Sequence, residues 1–132
     1  CWHYGDPDQP ILTTHRPTKK RTKIKSRINN DSLPIILDID LDAFLCYRAP
    51  NERQLPDEVW HQRIAETLGF LSGLRKPSVI TLARSLHPVM YTPIGKVGAI
   101  EARLIRGLET IYGPETPVYP TESDGPQIRL FA

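Results

Sequence analysis

Apolar positions in this chain fall into short periodic runs separated by polar and proline-rich stretches. The clearest run is Pro34-Ile35-Ile36-Leu37-Asp38-Ile39-Asp40, which is β-rich and ends in carboxylates. Its apolar residues occupy both parities, which predicts a strand covered on both faces. Ser78-Val79-Ile80-Thr81-Leu82-Ala83 predicts a second strand. Between them, Val59, Ile64, Leu68 and Leu71 recur at helical spacing. Pro56, Asp57 and Glu58 suit a first helical turn and Gly73 a stop, so a helix is expected over 57–72. Val97, Ile100, Leu104, Leu108 and Ile111 predict another helix over 93–112. Thr92 is its expected N-cap, Pro93 its first residue, and Gly113-Pro114 its end. One more short strand is expected at Gln127–Phe131.

The order β-α-β-α predicts an α/β fold, a parallel sheet layered with helices. A βαβ crossover brings the C-terminal ends of both strands to one edge, where open α/β sheets bind ligands. Asp40 and Asp42 are then expected on the same side as Arg84, Ser85 and His87. Around this α/β region at 35–112, residues 1–34 read as an irregular basic segment and 113–132 as a proline-rich tail.

A length of 132 residues suggests one domain with a modest core. The charged and hydrophobic fractions, 24% and 39%, are those of an ordinary soluble globular protein. A net charge of +2 argues against a molecule that binds polyanions over its whole surface. The cations are unevenly placed, however: Arg16, Lys19, Lys20, Arg21, Lys23, Lys25 and Arg27 crowd one stretch. That stretch reads either as a solvated loop or as a site at residues 16–27 for nucleic acid or another acidic partner. No apolar run reaches the roughly 18 residues of a membrane span, so no membrane partner is expected. Cys1 and Cys46 have neither C-x-x-C nor zinc-ligand spacing. A disulfide stays open; a reduced, cytoplasmic protein is the simpler expectation. The chain begins with Cys rather than Met, which suggests processing or a piece of a longer polypeptide.

Asp38, Asp40 and Asp42 share parity on the first strand. On an extended strand they point to one face, about 6–7 Å apart per pair of residues. Ionised carboxylates gathered on a buried strand repel one another and are costly to desolvate. A cation relieves both problems, and hard oxygen ligands suit magnesium, calcium or manganese. The metal candidates are Asp38 and Asp40, with Asp42 as the third. The alternative is that the strand surfaces at Asp38 and its acids are solvated or paired with Arg and Lys.

Hydrophobic-Asp-x-Asp strand ends are similar to motifs in several families. Haloacid-dehalogenase-like phosphatases have one, normally followed by Gly-Thr where this chain has Leu41-Asp42. Asp40-Leu41-Asp42-Ala43-Phe44 also resembles the Asp-x-Asp-Ala-Phe of Y-family DNA polymerases. A longer match is Ile36-Leu37-Asp38-Ile39-Asp40-Leu41-Asp42-Ala43-Phe44. It resembles the Leu-Asp-Ile-Asp-Leu-Asp-Phe-Phe signature of an uncharacterised arginase-related family that includes peptide arginases. Ile80-Thr81-Leu82-Ala83-Arg84-Ser85, followed by Tyr91-Thr92-Pro93, resembles that family's Ile-Thr-Ile-Ala-Arg-Ser strand and following loop.

The resemblance spans roughly residues 34–112 and the family's C-terminal half. It implies an arginase/deacetylase-like α/β fold, present as an incomplete domain. By motif, Asp38 and Asp40 would ligate a centre of two manganese ions, with magnesium as the alternative metal. The implied reaction is hydrolysis of a guanidino C–N bond, converting free or peptide arginine to ornithine with release of urea. Two ions about 3.5–4 Å apart would activate and hold the attacking water. The chain has no Asp-x-His-x-Asp, the upstream ligand motif of arginases, so either an N-terminal half supplies further ligands or this protein has lost part of the site.

Arg84 and His87 are the candidate catalytic residues at this edge. Arg84 could meet a substrate carboxylate or Asp42, or make a structural ion pair. His87 could shuttle protons or be a solvated loop histidine. His61 is expected on an exposed helix face, and nothing beside Cys46 suggests an activated thiolate. A noncatalytic binding module that uses the basic stretch is the reading from a different functional class.

Overall fold

Both β-rich runs form strands, and the apolar stripes between and after them form helices. A computed structural model describes residues 19–52, 54–86, 90–117 and 127–131. In chain order the elements are α1 (Lys19–Asn30), β1 (Ile36–Asp40), a 3-10 turn (Leu41–Ala43), α2 (Asp57–Leu71), β2 (Val79–Ala83), α3 (Val97–Tyr112), β3 (Glu115–Pro117) and β4 (Gln127–Phe131). β1 and β2 pair in parallel, with Ile36 opposite Val79 and Asp40 opposite Ala83. The fold is a small α/β fold built on this parallel pair.

The sheet as a whole is mixed, in the order β1-β2-β4-β3, with β4 antiparallel to both neighbours. This corrects the all-parallel expectation. Residues 118–126 are too few for a parallel crossover, which needs a dozen or more residues, so β3 and β4 pair antiparallel. The short strand expected at Gln127–Phe131 forms as β4, and β3 is the part of the proline-rich tail whose strand the sequence did not predict.

One face of the sheet carries the core. Ile39 and Leu41 from the first strand and its turn, and Ile80 and Leu82 from β2, pack with Trp60, Ile64 and Leu71 of α2 and Ile100, Leu104 and Leu108 of α3. Each such side chain contributes roughly 1.5–3 kcal/mol through burial. Leu68 of α2 lies so close to α3 that a Cβ at Gly107 would fall on its methyl groups. Gly113, at φ 98°, ends α3 as its glycine predicts.

The opposite face of β1 is open. Ile36 is 72% exposed, and Asp38 and Asp40 are exposed. The two-face burial expected for this strand is corrected accordingly: β1 is an edge strand with one covered face. α3 also starts later than expected. Lys96 is its N-cap, and the amides of Lys96 and Val97 donate to the Pro93 carbonyl in a preceding turn. Thr92 is fully buried and its hydroxyl makes no hydrogen bond, so it does not cap the helix.

The segment expected to be irregular contains α1. Its only large apolar residues are Ile24 and Ile28, too few for an apolar stripe, but lysine and arginine are good helix formers. Polar contacts dock it. Asn29 Nδ2 donates to the Gly73 carbonyl at 2.8 Å, and the Arg75 amide donates to Asn29 Oδ1 at 2.9 Å. The Arg75 guanidinium donates to the carbonyls of Ile28 and Leu33. Lys25 Nζ sits 5.9 Å from the centre of the Phe70 ring. Cys46 is buried and disulfide-bonded, contrary to the reduced-thiol expectation. No described helix is long and apolar enough to cross a membrane.

Candidate functional site

Alternation along β1 turns Ile39 into the core and leaves Asp38 and Asp40 on the open face. The parallel register sets Asp38 opposite Thr81 and Asp40 opposite Ala83. The Thr81 hydroxyl donates to Asp38 Oδ1, and the Ser85 hydroxyl donates to Asp40 Oδ1. Asp38 and Asp40 therefore share one face at the C-terminal edge of the parallel pair, as expected. Neither meets a cation among the described residues.

Partial desolvation at the strand end raises the Asp40 carboxyl above its ordinary value although its side chain reaches the surface. The Ser85 hydrogen bond opposes that shift, while the charges of Asp42 and Asp38 add to it. Asp42 lies in the 3-10 turn and is only 5% exposed. The strand has ended before it, so strand parity no longer governs its direction.

Arg84 takes its structural alternative. Its Nε and Nη2 donate to the two carboxylate oxygens of Glu101 on α3, at 2.6 and 3.1 Å. Its guanidinium thus reaches α3 on the helix-covered face, whereas Asp38 and Asp40 lie on the other face. His87 lies outside the described residues. His61 is half-buried and stacks edge-on against Trp60, with ring centres 4.0 Å apart, which corrects its expected full exposure.

Sequence reasoning missed the roles of Thr81 and Ser85. Parity carried the signal for Thr81, which alternates with the core positions 80 and 82 and so shares a face with Asp38 and Asp40; Ser85 lies past the end of β2, where the chain's turn sets its direction. Ser85 has a left-handed backbone at φ 56°. Its carbonyl accepts from the amides of Tyr91 and Thr92, at 2.9 and 3.4 Å. The Tyr91 carbonyl in turn accepts from the Tyr47 amide at 2.6 Å. These bonds tie the loop after β1 to the loop after β2. Beside that junction, Tyr47, Met90, Pro93, Ile94 and Gly95 line a cleft of about 240 Å³. Tyr47, Met90 and Ile94 are exposed in it.

A second polar cluster holds the first loop in place. Arg63 Nη1 and Nη2 reach the two oxygens of Glu52 at 3.1 Å each, and Nη1 also donates to the Phe44 carbonyl at 3.0 Å. Glu52 Oε2 accepts from the Cys46 amide at 2.9 Å.

Among the described residues, no group of three or more His, Cys, Asp or Glu converges to hold a metal ion. The donors present are hard oxygens on one open face, which fit one wall of a site for a hard divalent cation. Compared with protein-family models, curated proteins and solved structures, the chain matches none.

Proposed function

We propose that this chain forms part of an arginase-like metallohydrolase acting on a guanidino C–N bond, with free or peptide arginine as substrate. Asp38 and Asp40 would hold manganese, with magnesium as the alternative. The observation that supports this reading is their shared open face at the C-terminal edge of the parallel pair. The remaining ligands come from outside the described residues or from another polypeptide. When bound, the metal supplies an activated water. The residues of this chain supply anionic ligands whose orientation Thr81 and Ser85 fix through their hydroxyls.

Calorimetric titration with manganese tests the ligand assignment directly. Assembled with the polypeptide that supplies the remaining ligands, wild type should bind the ion, and Asp38→Asn and Asp40→Asn should each bind it at least tenfold more weakly. The variants should remain folded, because removing one of several repelling carboxylates costs the fold little. Equal manganese binding by all three proteins would remove Asp38 and Asp40 as ligands. The reaction class is tested separately, as urea release from arginine and from an arginyl peptide.

A further inference from the structure

The free face of α1 poses a problem that the fold itself does not solve. α1 docks through Asn29, Ile28 and Lys25, which leaves the other side of the helix facing out. Thr22, Lys23, Ser26, Arg27 and Asn30 line an open groove of about 620 Å³ on that side. Lys23 and Arg27 stand four residues apart, so two like charges face each other on adjacent turns, an arrangement that destabilises a helix. Neither has an ion-pair partner among the described residues. The helix contains no acid. The next acid, Asp31, accepts a hydrogen bond from the Leu33 amide at 2.9 Å.

Repulsion between Lys23 and Arg27 is relieved by a polyanion laid along this face. We propose that this face of α1 binds the phosphodiester backbone of a nucleic acid. Its chemistry fits that ligand. Lys23 and Arg27 supply charge, while the hydroxyls of Thr22 and Ser26 and the Asn30 amide supply hydrogen bonds to phosphate oxygens. At 12 residues the helix is about 18 Å long, which covers several successive phosphates. The groove residues include no aromatic or large apolar side chain, so the face lacks what a helix needs to insert into a lipid surface. Contacts of this kind read charge and spacing, not base sequence. The proposal is independent of the Asp38 and Asp40 reading.

Fluorescence anisotropy with a labelled 20-base-pair DNA duplex and a labelled 20-nucleotide RNA tests the proposal. The competitors are polyglutamate and vesicles of phosphatidylserine and phosphatidylcholine. The paired variants are Lys23→Gln/Arg27→Gln on α1 and, as a charge-matched control, Lys76→Gln/Arg103→Gln at exposed positions elsewhere. Glutamine keeps helix propensity, and far-UV circular dichroism verifies that α1 is retained. Wild type should bind at least one nucleic acid at low salt, with affinity falling steeply as salt rises. The α1 variant should lose tenfold or more, and its log–log salt slope should shrink by about 1.4–1.8, whereas the control should keep its slope within about half that change. Which arm binds more tightly separates DNA from RNA. No binding at 50 mM salt, equal losses in both variants, or stronger binding to the vesicles or to polyglutamate would each overturn the proposal.

Discussion

Ser85 donates its hydroxyl to Asp40 from a left-handed backbone, so one residue both turns the chain after β2 and restrains the acid at the end of β1. A non-glycine residue in that conformation carries strain of roughly 1 kcal/mol or more. Ser85→Gly removes the hydroxyl and relieves the strain; Ser85→Ala removes the hydroxyl and keeps it. The alanine variant should therefore be the less stable of the two by about 1 kcal/mol in urea unfolding. In both, the Asp40 carboxyl should titrate at higher pH than in wild type, because the bond that opposed the shift is gone. Carboxyl-carbon NMR titration reads this, and an unchanged Asp40 midpoint would rule out the Ser85 bond as a determinant.

Asp40 and Asp57 should give stability opposite dependences on pH. Asp40 is raised, chiefly by burial, so the folded state holds its proton more tightly than the unfolded state. Its contribution is fully favourable below the unfolded value and is lost as pH rises through the folded value. Asp57 is lowered, first by its bond to Lys96 and then by its bond from Trp60 Nε1. Its contribution is present above the unfolded value and is lost as pH falls through the folded value. Asp40→Asn should accordingly raise the melting temperature at pH 7 and give little gain at pH 3. Asp57→Asn should lower it at pH 7 and change it little well below the folded value of Asp57. Thermal melts of the two variants at both pH values check the crossing.

Arg84 was a candidate catalytic residue by sequence, and the structure turns it toward α3. Its bidentate pair with Glu101 is mostly buried, with side-chain exposures of 25% and 10%. Arg84→Ala should cost about 2 kcal/mol, below the range for fully buried pairs because of the partial exposure. The same variant should leave manganese affinity unchanged, and a tenfold loss of affinity would return Arg84 to the site.

Helices and strands with apolar periodicity were legible in the sequence. Ile64, Leu71, Ile100, Leu104 and Leu108 are buried as their spacing predicts. The shared face of Asp38 and Asp40 was legible too, since strand parity is a local property. What escaped depends on tertiary context. α1 has almost no apolar stripe and docks through side-chain and main-chain hydrogen bonds, which leave no periodic trace. The end of β1 at Asp40 moved Asp42 off the row. β2 ends at Ala83, so the turn beyond it, not strand alternation, sends Ser85 to Asp40 and Arg84 to Glu101.

Gly107 tests the contact between α2 and α3. Alanine is normally worth about 1 kcal/mol more than glycine inside a helix. Here the added Cβ would fall on the Leu68 side chain, so the helices must shift or Leu68 must leave its place. Overpacking of this kind costs roughly 1–3 kcal/mol. Gly107→Ala should therefore be neutral to destabilising. Gly107→Ala combined with Leu68→Ala should be more stable than the two single effects added together. Strict additivity in urea unfolding would mean that the two residues do not compete for space.

Glu52 and Arg63 provide the most demanding test of how the loop after β1 is held. Their side chains are 8% and 13% exposed, and the pair is bidentate. Glu52→Ala leaves the Arg63 charge buried without this partner, and Arg63 Nε already lacks one. Breaking such a pair costs about 3–5 kcal/mol. Replacing both members with apolar residues often recovers most of that loss, because the desolvation penalty disappears as well. Recovery should be incomplete here. Arg63 also donates to the Phe44 carbonyl, and Glu52 also accepts from the Cys46 amide, so the double variant Glu52→Leu/Arg63→Met takes a partner from each of two backbone groups. At roughly 1 kcal/mol for each lost hydrogen bond, the double variant should stay at least about 1 kcal/mol below wild type. Wild-type stability in the double variant would show that the pair is dispensable and that the loop finds other partners.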